Sequence, residues 1–352
     1  MNAHTHSGHV LALCGGIGGA KLALGLYRML DPQQLTVVVN TGDDFEHLGL
    51  KISPDLDTVL YTLGGVADPE RGWGRAQETW ESMAALRQLG SETWFQLGDR
   101  DLAMHVMRTE WLRAGKSLTE FAAHAGGRLR ILSQILPMTN EGVRTIIETA
   151  EGDLPFQHYF VRRRCEPAVT AIRFDGAKEA QPAPGVTELI GSQTLRAIVI
   201  CPSNPYLSVD PILAVPGIRQ ALATSTAPVV AVSPIIGGQA VKGPTVKIMA
   251  ELGIAATTQT IAAHYRGLID GLVIDESDAN DRAQIDVPVL PTRTMMKDIA
   301  DRERLARDVA AFADTLTRPP EAERARGGHR RVTKQRYGPS FRSSGFRRRK
   351  AG

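Results

Sequence analysis

A glycine-rich turn near the start of the chain has the composition of a phosphate-binding site. Residues 15–21 read Gly-Gly-Ile-Gly-Gly-Ala-Lys and follow a short apolar run. Glycines at the start of a helix let backbone N–H groups approach a phosphate closely. The turn departs from the dinucleotide fingerprint, since Lys21 stands at the third glycine position, and it lacks the Walker A pattern. A phosphate loop and a tight strand-to-helix turn both fit. The candidate phosphate ligands are Gly15, Gly16, Ile17, Gly18 and Lys21.

Four carboxylates follow, and their density suggests a site for a hard cation. Asp43, Asp44, Asp55 and Asp57 lie within fifteen residues of one another, after a second apolar run. Carboxylate oxygens beside a phosphate loop suit Mg²⁺. For Asp55 the alternative is a helix cap, because Asp often precedes a helical segment. The sequence leaves both interpretations open.

Two later loops place further polar residues after apolar runs. Residues 201–208 contain Ser203 and Asn204 between two prolines, and residues 233–244 contain Gly237 and Lys242. If the preceding runs are parallel strands, these loops meet the glycine turn at one edge of a sheet. Three such loops after neighbouring strands favour a nucleotide-binding crevice.

The elements that must position these loops alternate between short, β-branched apolar runs and helix-like segments. The apolar runs cover residues 10–14, 36–40, 197–201, 229–233, 272–275 and 287–290. Helical spacing recurs at residues 21–30, 211–224, 247–252 and 296–316. This alternation predicts an α/β fold with a Rossmann-like, doubly wound, mainly parallel sheet that is buried on both faces.

A gap of about 150 residues between the second and third runs predicts a long mixed α+β insertion. Its helical segments are expected at residues 73–89, 99–114 and 117–125, and its antiparallel strands at residues 143–148, 158–162 and 169–174. We therefore expect residues 10–63 and 190–317 to form the core. The insertion, residues 64–189, is expected to cover the ligand-binding edge.

Composition and charge limit the class of protein. The chain is 43% hydrophobic with 34 glycines, as in a globular enzyme. Residues 318–352 hold 12 of the 41 Lys+Arg and 2 of the 38 Asp+Glu, so they carry +10 and residues 1–317 carry −7. We expect a flexible segment at residues 1–9, a basic disordered tail from residue 318, and no specific nucleic-acid partner. The lack of a long apolar stretch predicts a cytoplasmic protein without a membrane partner.

Several short motifs in order along the chain resemble the 2-phospho-L-lactate transferase family of coenzyme F420 biosynthesis. The resemblance covers roughly residues 10–316. The motifs are residues 15–21, 40–44, 54–58, 61–65, 97–101 with His105, Arg108 and Thr109, 137–139, 156–159, 202–205 and 233–244. Each motif alone is weak, but their order over most of the chain is specific.

The resemblance implies a magnesium-dependent transfer. Family members bind the deazaflavin Fo and a guanosine diphosphate whose terminal phosphate carries a three-carbon acid. The ribityl hydroxyl of Fo attacks the phosphorus that carries the acid, and GMP leaves. Positioning and charge neutralisation dominate such chemistry. A homodimer is expected because dimers are the commonest assembly.

The resemblance also assigns roles to residues. It implies Asp44 and Asp57 as catalytic residues. It implies phosphate or nucleotide contacts from Gly15, Gly16, Ile17, Gly18, Lys21, Ser203, Asn204, Gly237 and Lys242. It implies Fo contacts from Thr41, Asp55, Asp99, His105 and Arg108. It implies metal ligands at Asp43, Asp44, Asp55 and Asp57.

Two other functions remain open at this point. A nucleotide-sugar-binding regulator would share the glycine turn and the fold but catalyse no reaction. A nicotinamide-dependent oxidoreductase is disfavoured by the missing third glycine and by Asn40, which stands where a ribose-binding acid is expected. Within the transferase interpretation, the acid is phospholactate, phosphoenolpyruvate or phosphoglycerate, which differ by few atoms.

Overall fold

Seven parallel strands form the sheet around which the chain is built. A computed structural model of the protein describes residues 8–240 and 243–318. Most of the predicted flexible start and basic tail therefore lies outside the described residues. The described residues contain these seven strands and seven others in smaller sheets. In chain order they are β1 (His9–Cys14), β2 (Leu35–Val39), β3 (Phe45–His47), β4 (Leu50–Ile52), β5 (Gln134–Pro137), β6 (Arg144–Thr149), β7 (Gly152–Pro155), β8 (Val169–Asp175), β9 (Leu195–Ile200), β10 (Val229–Val232), β11 (Ile235–Ile236), β12 (Gln239–Ala240), β13 (Gly271–Asp275) and β14 (Val289–Thr292).

The helices lie mostly between these strands. They are α1 (Gly16–Met29), α2 (Pro54–Leu63), α3 (Glu81–Gln88), α4 (Asp99–Arg113), α5 (Leu118–Arg128), α6 (Val186–Ile190), α7 (Asp210–Ala214), α8 (Ile218–Thr224), α9 (Thr245–Glu251), α10 (Thr258–His264) and α11 (Ile299–Thr315). Within the described ranges, none of them combines the length and hydropathy that a membrane span needs.

The main sheet has the order β14-β13-β10-β9-β1-β2-β5, and every neighbouring pair is parallel. Every residue of β2, β10 and β13 is buried, as expected for strands that are covered on both faces. One apolar layer joins the sheet to α1, α2, α5 and α11, and the other joins it to α6, α7, α8 and α10. The predicted doubly wound α/β fold is confirmed.

The strand order creates a crevice beside β1. The chain runs from β1 to β2 and β5 on one side and then crosses to β9 on the other side of β1. At such a switch point the connections leave in opposite directions, and ligands bind outside the carboxyl ends of the strands. The glycine turn follows β1 and the loop at residues 201–208 follows β9, so both lie at this crevice.

The segment that was predicted as an insertion also contributes a strand to the core. It holds α3, α4, α5 and a separate antiparallel sheet of order β7-β6-β8, but β5 pairs in parallel with β2 as the edge strand of the main sheet. The prediction for residues 64–189 missed β5 because its run of four residues is short and ends at Pro137. The main sheet therefore includes residues 134–137, which the sequence assigned to the insertion.

Three predicted elements differ in local form. The predicted helix at residues 73–89 begins only at Glu81, because Gly74 and Gln77, both inside the predicted segment, have positive φ angles of 69° and 57°. Residues 158–162, predicted as a strand, form a π-helical turn. The predicted helix at residues 211–224 is broken into α7 and α8 where Pro216 is followed by Gly217 at a φ of +89°.

A buried arginine ends the described chain. The Arg318 side chain is 3% exposed and pairs with Asp270 at 3.1 Å. It also donates hydrogen bonds to the carbonyl oxygens of Ser225, Ala227 and Leu268. Arg318, which the sequence assigned to the tail, is therefore attached to the core, and the rest of the predicted tail lies outside the described residues.

Removal of residues 319–352 is expected to leave the melting temperature and turnover nearly unchanged. A thermal melting curve and an activity assay measure these two quantities.

Arg318→Ala is expected to lower the free energy of unfolding by about 3 kcal/mol, because it removes a cation beside a buried carboxylate and three hydrogen bonds. Chemical denaturation measures the free energy of unfolding of the Arg318→Ala protein. Arg266→Ala is the matched control, since its ion pair with Asp286 is largely exposed and is expected to contribute about 1 kcal/mol or less. Equal losses for the two arginine variants would contradict the assignment.

Candidate active site

A cavity of about 570 Å³ lies at the carboxyl edge of the sheet. One wall consists of loops that follow core strands, and the other comes from the segment between residues 73 and 161. The core wall includes Gly15, Gly16, Ile17, Gly18, Lys21, Asp43, Asp55, Asp57, Ser203, Asn204, Thr245 and Thr294. The opposite wall includes Trp73, Phe95, Gln96, Asp101, His105, Phe156, Gln157 and Phe160. The core and the covering segment therefore share one cavity.

The glycine turn is fastened to the loop after β9. The Ser203 hydroxyl accepts a hydrogen bond from the Gly15 N–H at 3.1 Å and donates one to the Gly15 carbonyl at 2.8 Å. Gly16 has a φ of +63°, and a Cβ at Gly18 would lie 2.4 Å from the Pro202 carbonyl oxygen. These glycines therefore permit close contact between two loops as well as access to the backbone N–H groups.

Asp55 is hydrogen-bonded to the same glycine turn. It accepts hydrogen bonds from the Asn40 amide at 2.9 Å and from the backbone of Gly16. Asn40 in turn accepts one from the Gly42 N–H at 2.8 Å. Burial raises the pKa of Asp55 to about 6, although these hydrogen bonds oppose the shift. Asp55 lines the cavity, but its hydrogen bonds show that it positions the loops around it.

Asp43 and Asp44 have the free oxygen atoms that a cation requires. The Oδ1 atoms of both are buried and have no hydrogen-bond partner among the described residues. Burial raises the pKa of Asp43 well above its usual value, and the charge of Asp55 adds to the shift. Burial also raises the pKa of Asp44 to about 7, against a hydrogen bond of 2.5 Å from the Ser53 hydroxyl. These carboxylates fit a divalent cation, which would stabilise their ionised forms.

Asp57 belongs to a buried network with α4. The Arg108 guanidinium donates to Asp57 Oδ1 and to the Lys51 carbonyl, and His105 Nδ1 lies 3.6 Å from Asp57 Oδ2. Burial raises the pKa of Asp57, with Arg108 and His105 opposing the shift. Arg108 is fully buried and is not part of the cavity lining, a position that disfavours the predicted contact with Fo. It holds Asp57 instead.

Two other predicted site residues, Asp99 and Gly237, lie outside the cavity lining. Asp99 is outside the cavity lining and accepts hydrogen bonds from Thr79, Glu81 and Ser82 at the start of α3, which lower its pKa to about 2. Gly237 occupies an exposed turn between β11 and β12. Both positions have a local cause. The Asp99 carboxylate caps the start of α3, and Gly237 is required by the tight turn of the β11–β12 hairpin.

The remaining predicted residues are placed as follows. Thr41 is buried beside the cavity but does not line it. Asn204 lines it, while its side chain accepts hydrogen bonds from the Tyr206 and Leu207 N–H groups and donates to Thr245. Lys21 lines the cavity and donates to the Met296 carbonyl at 3.0 Å. Lys242 lies outside the described residues.

Sequence reasoning missed Asp101 as a site residue. It lines the cavity, accepts a hydrogen bond from the Tyr61 hydroxyl at 2.6 Å, and lies 3.3 Å from His105 Nε2. The signal was present, because Asp101 and His105 are four residues apart and share a face of α4. Asp99, two residues earlier, faces away from His105.

Comparison with solved structures agrees with the fold. Two crystal structures of one protein from Bacillus halodurans align with this chain. In the first of them, that protein is described as a member of the UPF0052 family. The first has a TM-score of 0.57 and 16% identity, with 86% of this chain and 98% of that chain covered. The second has a TM-score of 0.53 and 19% identity, with 82% and 92% covered. At these identities the similarity concerns the fold alone.

Comparison of sequences identifies the family. Residues 10–314 match the family model described as 2-phospho-L-lactate transferase CofD. A phosphoenolpyruvate transferase from Kitasatospora aureofaciens is 42% identical over 87% of this chain and 98% of its own. Proteins of the same name from Streptomyces coelicolor and Mycobacterium sp. strain KMS are 40% and 37% identical, over 87% and 85% of this chain and 98% and 96% of theirs. The chain therefore belongs to the CofD family and is a transferase.

Proposed function

We propose that the chain transfers a phosphorylated three-carbon acid from a guanosine diphosphate-linked donor to the ribityl hydroxyl of Fo and releases GMP, as a step in coenzyme F420 biosynthesis. The observation that carries the proposal is the shared cavity. It joins a glycine turn, buried carboxylates with free oxygens, and an aromatic wall. A nucleotide with two phosphates fits the first two features, and a planar ring fits the third.

The core wall would bind the nucleotide end of the donor. The turn presents the first N–H groups of α1 at the crevice, and these groups favour an anion. Two hydrogen bonds between Ser203 and Gly15 hold the glycine turn and the loop after β9 together, so the two sides of the phosphate site keep a fixed separation. Lys21 is the nearby cation of the lining.

Asp43 and Asp44 would hold Mg²⁺ in this proposal. Mg²⁺ is usually bound by one or two carboxylates together with substrate phosphates, and when bound it neutralises phosphate charge. Asp55 is less suited because it accepts hydrogen bonds from Asn40 and Gly16. Asp44 and Asp57 stay the predicted catalytic carboxylates. The Fo oxygen forms a bond to the acid-bearing phosphorus, the hydroxyl proton passes to one of these carboxylates, and GMP takes the electrons of the broken phosphoanhydride bond.

The opposite wall would orient the deazaflavin and exclude water. Phe156 and Phe160 stack at 5.3 Å between ring centroids with an interplanar angle of 12°, and Phe95 also lines this wall. Aromatic side chains bind a planar ring by offset-stacked or edge-to-face contacts. Gln96 and Gln157 supply hydrogen-bonding groups on the same wall.

We propose phosphoenolpyruvate as the acid, because the relatives at 36–42% identity bear the name phosphoenolpyruvate transferase. The test supplies purified protein with Mg²⁺, Fo and either the enolpyruvyl or the lactyl form of the guanosine diphosphate donor. Chromatography measures GMP and the new deazaflavin product. We expect equal amounts of both, with the higher kcat/KM for the enolpyruvyl donor.

Omission of Fo is the control for simple hydrolysis and should abolish GMP release. Tight donor binding without GMP in the complete mixture would contradict the proposal and favour the regulator. A higher kcat/KM for the lactyl donor would overturn only the choice of acid. Gel filtration in the same buffer tests the predicted homodimer.

A further inference from the structure

Two carboxylates and one imidazole form a buried cluster in the wall of the cavity. Asp57 on α2 and Asp101 and His105 on α4 each offer one ligand atom, and these atoms lie within 4.8 Å of one another. The three residues are 4%, 8% and 2% exposed. Across residues 8–240 and 243–318, no other group of three such side chains comes this close.

Neighbouring donors fix one oxygen of each carboxylate and leave the other facing the cluster. Tyr61 donates to Asp101 Oδ1, and Arg108 donates to Asp57 Oδ1. The Oδ2 atoms face the imidazole, with Asp101 Oδ2 3.3 Å from Nε2 and Asp57 Oδ2 3.6 Å from Nδ1. Protein metal ligands are typically oriented in this way by hydrogen bonds from a surrounding shell.

The cluster contains buried polar atoms that the described residues leave without hydrogen bonds. Asp57 Oδ2 is in this state, and Asp101 Oδ2, 3.3 Å from His105 Nε2, makes no well-aligned hydrogen bond to it. A buried polar atom without a partner costs free energy, so its presence calls for an explanation. A metal ligand imidazole is neutral, and in that form the two carboxylates beside Arg108 leave one negative charge that a bound cation would compensate.

We propose that Asp57, Asp101 and His105 form a site for a divalent transition metal, separate from the carboxylates of Asp43 and Asp44. Two carboxylate oxygens and one imidazole nitrogen suit Mn²⁺, Fe²⁺ or Zn²⁺, because nitrogen ligands favour these ions over Mg²⁺. All three residues line the cavity, so a metal bound by them would be accessible from the cavity. The site does not depend on the proposed transfer reaction.

Mn²⁺ alone, without Fo or nucleotide, is the probe. Bound Mn²⁺ is counted by titration, and pulsed electron paramagnetic resonance detects coupling to a directly bound ¹⁴N nucleus. We expect the whole protein to bind Mn²⁺ with ¹⁴N coupling, and His105→Gln to lose both that coupling and one equivalent of Mn²⁺. Asp43→Asn should keep the coupling, since its carboxylate is not part of the cluster. His124→Ala, at an exposed position on α5, is the control for loss of a histidine.

Tyr61→Phe provides a second test if His105→Gln does not fold. It retains the aromatic ring and removes only the donor to Asp101 Oδ1, so the affinity of the ¹⁴N-coupled Mn²⁺ should fall roughly 10- to 100-fold. Bound Mn²⁺ without ¹⁴N coupling, or coupling that persists in a folded His105→Gln protein, would overturn the proposal. Failure of the transfer assay would leave these readouts unchanged.

Discussion

Asp43→Asn is expected to lower kcat about 100-fold or more, the scale on which loss of a group that stabilises transition-state charge acts. Asp43 lines the cavity, and its Oδ1 atom is buried without a hydrogen bond among the described residues. The amide is nearly isosteric but carries no charge, so the phosphates would lose a cation ligand. Release of GMP, measured over a range of Mg²⁺ concentrations, gives the rate and the shift in metal requirement.

Two related variants make this prediction specific. Asp44→Asn should lower kcat less, roughly tenfold, because Asp44 does not line the cavity and is hydrogen-bonded to Ser53. Asp99→Asn removes a carboxylate of the same type that is outside the cavity and should leave kcat unchanged. A full rate for Asp43→Asn in excess chelator would show that the reaction does not use these carboxylates.

The sequence predicts the strands well where one apolar run is enough to identify a buried strand. Buried parallel strands are rich in β-branched residues, so β1, β2, β9, β10, β13 and β14 are visible as apolar runs. The exception is β5, whose four residues resemble a loop until β2 provides hydrogen bonds along its edge. Its position depends on tertiary pairing, which no local pattern records.

The site is predictable only as far as spacing along an element fixes direction. The turn at residues 15–18 and Asp43 lie at the cavity because they follow strands of one parallel sheet. Asp99 and Asp101 illustrate the limit. They differ by about 200° around α4, so one caps α3 while the other joins His105. The spacing of four residues between Asp101 and His105 places these two on one face of α4. The sequence motif of residues 97–101 alone does not distinguish Asp101 from Asp99.

Packing between loops is the part of the site that the sequence does not contain. The sequence predicts Gly18 as a residue that leaves room for phosphate. The structure shows that the nearest atom to a Cβ at this position would be the Pro202 carbonyl oxygen. The contact joins segments that are 184 residues apart, and it becomes apparent only when β1 and β9 are placed side by side.

Gly18→Ala is therefore expected to damage both stability and nucleotide binding. Its Cβ would lie 2.4 Å from a backbone oxygen, so α1 or the loop at residues 201–208 must shift. Such overpacking typically costs about 1–3 kcal/mol in the free energy of unfolding, and the shift would separate the two sides of the phosphate site. GDP affinity, measured by calorimetry, should fall at least about tenfold, because a displacement worth 1.4 kcal/mol already has that effect.

Gly127→Ala is the matched substitution. Gly127 lies in α5, has no atom within 4 Å of a Cβ at its position, and is exposed. Alanine is the better helix former by about 0.5–1 kcal/mol, so this variant should be slightly more stable and bind GDP normally. The opposite signs separate a clash at the crevice from a general effect of adding a methyl group. Normal GDP affinity in a folded Gly18→Ala protein would place the phosphates away from the first turn of α1.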